Sequence, residues 1–243
     1  MLYIVGLGLN LKSISLDGAE KVKKCKTVYL ENYTVDFPYN PKKLEEIIGK
    51  KIVSADREFI ESLKILDLAK KQDVALLIYG SPLFATTHIT IIEACKKEEI
   101  KFEIIYSASV LDAIAETGLQ IYKFGKITSM PLWKQSYEPT SFLEIVKQNQ
   151  SIESHSLILI DIGMEFESAL EQFQISLKRE KMEIKKIIIC SSLGTKKSKI
   201  YFEKIENLKN LEIEKPFCFI IPGKLHFVEK EFLEKVQGPI KQI

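Results

Sequence analysis

The sequence lacks the segments and motifs that define several common classes of protein. No run approaches the roughly 18–20 apolar residues that a membrane span requires, and residues 1–9 are apolar without a basic leader. The P-loop pattern G-x-x-x-x-G-K-[ST] is absent. The formal net charge is only +2, from 35 basic and 33 acidic residues, so the strong basic excess of a nucleic-acid binder is missing. We therefore expect a soluble protein with no membrane span, no P-loop site and no direct nucleic-acid partner.

Cysteine is also scarce. The four cysteines form no C-x-x-C pair, and none lies beside a histidine at the spacing of a zinc site. Cys190 and Cys218 lie in apolar runs, which favours small core residues over metal ligands. This usage predicts reduced thiols, a cytoplasmic location and no metal site.

Each of the three histidines stands alone in the sequence. His88 lies at an expected helix start, and His155 precedes an apolar run and is predicted to be exposed. His226 follows Pro222-Gly223, just past a predicted strand. A lone histidine is more often structural than functional. Only His226 is kept as a candidate ligand-binding residue, because of the family resemblance given below.

The sequence does contain a regular alternation of short apolar runs with amphipathic stretches. This alternation predicts an α/β fold. Residues 74–79 are apolar throughout, as expected for a strand buried on both faces of a sheet. The predicted strands are 2–6, 27–30, 74–79, 102–106, 127–130, 157–160, 187–190 and 217–221. The predicted helices are 17–25, 58–71, 87–97, 110–116, 141–148, 167–181 and 228–236.

Small or loop-forming residues follow five of these strands. Ligands bind outside the carboxyl ends of strands in open α/β sheets, and glycine lets the backbone approach a ligand closely. The first exit is not a dinucleotide motif, because position 11 is leucine where a third glycine is needed. The five exits predict a ligand-binding cleft, with ordinary turns as the alternative. They are Gly6-Leu7-Gly8-Leu9, Gly80-Ser81-Pro82, Ser107-Ala108-Ser109, Ser191-Ser192-Leu193-Gly194 and Pro222-Gly223.

Six segments in order carry a more specific signal: residues 1–9, 24–31, 55–58, 80–88, 117–125 and 222–226. Together they resemble the diphthine synthase family of the tetrapyrrole-methylase superfamily, over nearly the whole chain. The most specific stretches are Ala-Thr-Thr-His at 85–88 and Thr-Gly-Leu-Gln-Ile-Tyr-Lys-Phe-Gly at 117–125. The ending Pro-Gly-Lys-Leu-His at 222–226 resembles the archaeal branch of that family.

The resemblance implies an α/β fold of two domains, an N-terminal one at 1–122 and a C-terminal one at 123–243, with the cofactor cleft between them. It implies a homodimer. It also implies S-adenosylmethionine as cofactor and S-adenosylhomocysteine as product. The implied reaction is trimethylation of an amino group on translation elongation factor 2, in diphthamide biosynthesis. That amino group belongs to a 3-amino-3-carboxypropyl chain attached to a histidine.

The resemblance further implies which residues contact the cofactor. Many of them are apolar, which suits packing against adenine and a thioether. No catalytic base and no metal ligand is identified. The implied contacts are Leu9, Ser81, Phe84, Ser109, Val110, Ile160, Leu193 and His226.

Two departures from the family pattern leave alternatives open. Ser81 stands where the family usually has aspartate, and residues 164–172 lack the family's usual Tyr-Met-Ser/Thr-x-Asn-Glu/Gln-Ala stretch. One alternative is a sister methylase that acts on a ring carbon of a tetrapyrrole. The other is a cofactor-binding protein that has lost catalysis.

Overall fold

The computed structural model describes residues 1–235 and the backbone of 238–239. The chain forms two compact units, the first comprising Met1–Asp112 and the second beginning at Ala113. Each unit contains one sheet and several helices, which confirms the predicted α/β class. The predicted boundary between residues 122 and 123 stays a prediction. Within the described ranges, no helix has the length and apolar character to cross a membrane.

The sheet of the first unit is entirely parallel. Its strand order is β3-β2-β4-β1-β5, and all four neighbouring pairs run in the same direction. The strands are β1 Leu2–Gly6, β2 Thr27–Glu31, β3 Val53–Ala55, β4 Val74–Ile78 and β5 Phe102–Ile105. Every residue of β1 and β4 is buried, because helices cover both faces of a parallel sheet.

Side-chain caps fix where the helices of the first unit begin. The Ser15 hydroxyl accepts from the Gly18 amide at the start of α1, and the Asp56 carboxylate accepts from the Phe59 amide at the start of α3. The single helix predicted at 58–71 is wrong, because Leu63 adopts a left-handed conformation with φ of 58° between α3 and α4. The helices are α1 Leu16–Lys24, α2 Pro41–Ile48, α3 Arg57–Glu61, α4 Lys64–Ala69, α5 Ile89–Lys97 and α6 Val110–Ala113.

The sheet of the second unit is mixed. Its order is β11-β9-β8-β10-β7-β6, in which only β6 and β7 pair in parallel and the other neighbours are antiparallel. The strands are β6 Thr128–Met130, β7 Ser156–Ile160, β8 Lys186–Ser191, β9 Lys199–Lys204, β10 Phe217–Ile221 and β11 Gly238–Pro239. Strand β9, which lies between β11 and β8, was not predicted, because lysines flank its short half-buried run.

Aromatic side chains fill the core of the second unit between its sheet and its helices. Phe142, Phe173 and Phe219 are fully buried, and the rings of Phe173 and Phe219 meet edge to face. The α-helices are α7 Ser141–Ser151, α8 Phe166–Arg179 and α9 Phe227–Lys235, and the 3-10 turns are Ile114–Thr117, Ile121–Lys123 and Ile205–Asn210. Cys190 and Cys218 lie opposite each other in β8 and β10 as buried free thiols, which confirms their prediction as core residues.

The direction of β10 corrects the prediction made from strand exits. Strand β10 runs opposite to both of its neighbours, β7 and β8. Ile221 at the end of β10 therefore pairs with Ser156 at the start of β7. The Pro222-Gly223 exit lies at the edge of this sheet opposite to the exits of β7 and β8. The exit rule applies to neighbouring parallel strands, and β10 is antiparallel to both of its neighbours.

Candidate functional site

Three strand exits of the first unit converge, because β4, β1 and β5 are neighbours in one parallel sheet. The Gly8 amide donates to the Gly80 carbonyl at 3.2 Å, and the Gly80 amide donates to the Gly8 carbonyl at 3.0 Å. A Cβ on Gly6 would lie 2.8 Å from the Gly80 carbonyl oxygen and 3.1 Å from Cβ of Ser107. Glycine is thus required where the three segments meet.

Leu9 leaves the first of these exits and is held by two tyrosines. Its carbonyl oxygen accepts from the hydroxyls of Tyr39 and Tyr79, each at 2.9 Å. Burial raises the pKa of the Tyr79 hydroxyl, which therefore stays a donor at neutral pH. The Leu9 side chain is buried. Its position is consequently fixed by the fold.

Ser81 and Phe84 lie in the turn that follows β4, and both are half-buried. The Phe84 amide donates to the Ser81 carbonyl at 3.3 Å. His88 closes the turn, because its Nδ1 lies 3.1 Å from the Pro82 carbonyl oxygen. This exit is a compact loop tied to the start of α5.

Ser109 and Val110 lie at the start of the short helix α6. The Ser109 hydroxyl donates to the Asp112 carboxylate at 3.1 Å and accepts from the Leu111 amide at 3.1 Å. The Ser109 amide also donates to Asp112, at 2.6 Å, which completes a capping box. A Cβ on Gly80 would lie 3.9 Å from Cα of Ser109. The structure therefore brings the predicted residues of the first unit together.

Two predicted residues of the second unit share one edge of its sheet. Ile160 ends β7 and Leu193 follows β8, and these strands run in the same direction. The loop containing Leu193 is held by Glu116, whose carboxylate accepts from the Gly194 amide at 3.1 Å and from the Ser198 hydroxyl at 2.7 Å. Ile160 is half-buried and Leu193 is buried.

His226 does not join these two residues. It follows β10 at the opposite edge of the sheet, and its side chain is exposed. Its ring lies against that of Phe227, with 4.3 Å between the centroids. Its backbone amide donates to Glu229 at 2.7 Å. His226 thus belongs to a separate polar cluster.

Glu229 is the centre of that cluster, and only 1% of its side chain is exposed. Its carboxylate accepts from the amides of Gln120 at 2.9 Å and His226, and from Lys123 Nζ at 2.6 Å. It also lies 3.2 Å from Nε2 of His155. Burial raises the pKa of Glu229, but these donors outweigh that effect and lower the pKa to about 2.

His155 is fully buried, so its predicted exposure is wrong. The Gly223 amide donates to its Nδ1 at 2.9 Å, which places the imidazole proton on Nε2, facing Glu229. Burial lowers the pKa of His155 and outweighs the raising effect of Glu229. The residue is a neutral histidine with both nitrogens engaged.

This cluster joins the 117–125 segment to the 222–226 segment, which are two of the six stretches that carry the family resemblance. Glu229 was missed by sequence reasoning, because a glutamate in an amphipathic helix normally faces solvent. His155 and Glu229 are 74 positions apart, so no local spacing links them. Among the described residues, no group of three or more His, Cys, Asp or Glu side chains is arranged to bind a metal ion.

Comparison with known proteins places the chain among methylases. Residues 1–209 match the family model of the tetrapyrrole (corrin/porphyrin) methylases. The chain is 34% identical to the diphthine synthase of Methanocaldococcus jannaschii, over 96% of this chain and 98% of the relative. It is 42% identical to the diphthine methyl ester synthase of Schizosaccharomyces pombe over 171 residues. That alignment covers 69% of this chain but only 60% of the length of the fungal protein.

Solved structures agree with this placement. A crystal structure of a provisionally assigned diphthine synthase from Entamoeba histolytica superposes with a TM-score of 0.88 at 33% identity, covering 98% of both chains. A second crystal structure, of a diphthine synthase, superposes with a TM-score of 0.87 at 30% identity, covering 97% of this chain and 95% of that one.

Proposed function

Since this chain belongs to the diphthine synthase branch of the tetrapyrrole (corrin/porphyrin) methylase family, we propose that it methylates translation elongation factor 2 in diphthamide biosynthesis. The acceptor is the amino group of a 3-amino-3-carboxypropyl chain on a histidine, and the methyl donor is S-adenosylmethionine. The observation that carries the proposal is the 34% identity to an archaeal diphthine synthase over 96% of this chain.

The cofactor contacts are part of the proposal. The converging exits of the first unit suit an adenosyl group, because backbone amides and carbonyls stand beside small and apolar side chains there. His226 lies away from Ile160 and Leu193 in the second unit, so its contribution requires a test of its own. The proposed contacts are Leu9, Ser81, Phe84, Ser109 and Val110 in the first unit, and Ile160, Leu193 and His226 in the second.

The main requirement of this reaction is that the protein aligns the acceptor amine with the methyl group of the cofactor. When bound, the cofactor supplies an electrophilic methyl group. The chain's own residues have to hold a neutral amine in line with that group and exclude water. Alignment of this kind lowers a barrier by roughly 7–11 kcal/mol in favourable cases. The reaction needs no metal.

We further propose elongation factor 2 as the protein partner, a homodimer as the assembly and the cytoplasm as the location. Neither a membrane nor a nucleic acid is required for the reaction. The dimer is tested by light scattering of the purified chain, for which a monomer mass across the micromolar range would contradict the proposal.

The decisive experiment uses elongation factor 2 carrying the unmethylated precursor, with labelled S-adenosylmethionine and the purified chain. We expect mass spectrometry to show three methyl groups on the modified histidine.

Calorimetric titration of wild type and His226→Ala with S-adenosylhomocysteine tests the cofactor site, with the exposed Glu231→Ala as the matched control. Binding without any methyl transfer would support loss of catalysis instead.

Two other outcomes have specific support. The fungal relatives are named diphthine methyl ester synthases, so a fourth methyl that is labile to mild base would place this chain with them. The matching family model is named for methylases of tetrapyrroles. Methylation of a corrin precursor, without methylation of elongation factor 2, would therefore identify this chain as a ring-carbon methylase.

A further inference from the structure

A second polar cluster lies in the first unit, beside the exits of β2 and β4. Tyr33 follows β2, and His88 lies in the segment between β4 and α5. Strands β2 and β4 are neighbours in the sheet. Their rings meet edge to face with 6.0 Å between centroids. The residues come from three of the segments that carry the family resemblance or adjoin them, namely 24–31, 55–58 and 80–88.

His88 presents an unused lone pair inside this cluster. The residue is 1% exposed. Its Nδ1 faces the Pro82 carbonyl, which accepts only, so Nδ1 carries the proton and Nε2 does not. Across the described chain, no hydrogen-bond partner reaches the buried Nε2. A buried imidazole nitrogen left in this state is rare in a folded protein.

Tyr33 adds a second buried polar atom. Its hydroxyl lies near Thr87, and no group in the described ranges reaches hydrogen-bond geometry with it. The guanidinium of Arg57 lies 5.7 Å from the centre of the Tyr33 ring. The other charged groups of the cluster are Glu31, which holds the Tyr33 amide at 2.8 Å, and Glu61, which pairs with Arg57 at the surface.

These groups select a particular ligand chemistry. A lone pair on Nε2 accepts a hydrogen bond, so the ligand has to donate one, which excludes an anion and favours an amine. The neighbouring guanidinium favours a carboxylate. An amine and a carboxylate on one carbon form the head of an α-amino acid, which is the end group of a 3-amino-3-carboxypropyl chain.

We propose that this cluster is the acceptor site, in which the substrate amine binds to His88 Nε2 and the Tyr33 hydroxyl while Arg57 pairs with the carboxylate. The inference rests on the proposed function. Tyr33 lies in the segment 32–40, which has no helix or strand, and the proposal requires this segment to move so that the acceptor chain can enter.

The step assigned to His88 is proton removal. The ammonium group transfers one proton to Nε2, giving a neutral amine and an imidazolium. The nitrogen lone pair forms the N–C bond to the methyl group while the C–S bond breaks, and sulfur keeps that electron pair. His88 then releases its proton to water before the next methylation.

The test compares His88→Gln and Tyr33→Phe with wild type and with Tyr29→Phe, a control that loses a hydroxyl from β2. Glutamine retains a donor for the Pro82 carbonyl but is not a base. We expect His88→Gln to lower kcat about 100-fold or more. Tyr33→Phe should raise KM for elongation factor 2 about fivefold. Both variants should keep wild-type affinity for S-adenosylhomocysteine and wild-type melting temperatures.

A readout independent of turnover is the imidazole ¹⁵N spectrum. A peptide bearing the modified histidine, added with S-adenosylhomocysteine, should shift the His88 Nε2 resonance and leave that of His155 unchanged. An unmoved His88 resonance, or a His88→Gln variant with wild-type kcat, would overturn the inference. Failure of the wild-type chain to methylate elongation factor 2 would instead overturn the proposed function.

Discussion

The two sheets of this protein organise their loops by different means. In the first unit, parallel neighbours deliver three exits to one edge, and Gly6, Gly8 and Gly80 let the backbones touch. In the second unit, β10 is antiparallel to its neighbours, so the loop after it lies at the opposite end of the strands from the loops after β7 and β8. The buried carboxylate of Glu229 binds the backbone amides of Gln120 and His226 there. One arrangement depends on the absence of side-chain volume, and the other on a compensated charge.

This difference predicts two distinct sensitivities. The first unit should respond to added volume and hardly to pH. The second should respond to loss of one carboxylate and to acid.

The largest effect is expected for Glu229→Ala. The substitution leaves Lys123, His155 and two backbone amides without their acceptor, and breaking such a buried ion pair typically costs about 3–5 kcal/mol. Urea unfolding of the purified variant measures this loss. Glu231→Ala is the control, because Glu231 lies on the same helix in an exposed pair with Lys235 and should change stability by less than about 1 kcal/mol. Equal effects of the two substitutions would contradict the central role of Glu229.

Acid should affect the second unit next. The pKa of Glu229 is lowered from 4.5 to about 2, so its stabilising contribution is complete above pH 4.5 and is lost as pH falls through the folded value. The shift corresponds to about 3 kcal/mol. Burial also lowers the pKa of His155 below 6.5, so acid removes stability through that residue too. Unfolding free energies of wild type and Glu229→Gln should converge between pH 5 and 2, and a constant difference would contradict the assignment.

Added volume should disturb the first unit. In Gly6→Ala the new Cβ would meet the Gly80 carbonyl at 2.8 Å, and such overpacking typically costs about 1–3 kcal/mol. We also expect weaker calorimetric binding of S-adenosylhomocysteine. Gly49→Ala is the control, because Gly49 has a φ of 71° with open space around it, so strain of about 1 kcal/mol is its only cost. If Gly6→Ala kept the wild-type affinity for S-adenosylhomocysteine, the converging loops of the first unit would not form the cofactor site.

The smallest effect concerns Ser81, which is half-buried in the turn after β4. Aspartate accepts stronger hydrogen bonds than serine, so Ser81→Asp should tighten cofactor binding by at most about tenfold, or ~1.4 kcal/mol. Titration of both proteins at one salt concentration measures the change. Equal or weaker binding would mean that serine is adapted to this site, because an added charge without a partner is costly to bury.

The sequence predicts the strands of the first unit well and the second unit less completely. Strands β1, β2, β4 and β5 agree within one residue. Uninterrupted apolar runs mark β1 and β4, which are buried throughout because both faces of the sheet are covered. Strand β3 was missed, since Val53 and Ser54 are exposed and the strand has only three residues.

Site residues follow the same division. The exits of the first unit could be predicted to meet once the sheet was taken as parallel. The direction of β10 could not be predicted, because an apolar run carries no information about its neighbours. The exposure of His155 was predicted wrongly for a related reason, since its partner Glu229 lies in a distant helix.

The separation between Lys123 and Glu229 has a consequence for biosynthesis. These residues are 106 positions apart. At a synthesis rate of about 5–20 residues per second, Lys123 is added to the growing chain roughly 5–20 seconds before Glu229 is. His155 also lacks its partner Glu229 during this time. The 117–125 segment, which donates to Glu229 through Gln120 and Lys123, therefore cannot reach its final position until Glu229 has been made. Nascent chains stalled before residue 229 should therefore be cleaved by protease in this segment, and chains stalled well beyond it should be protected.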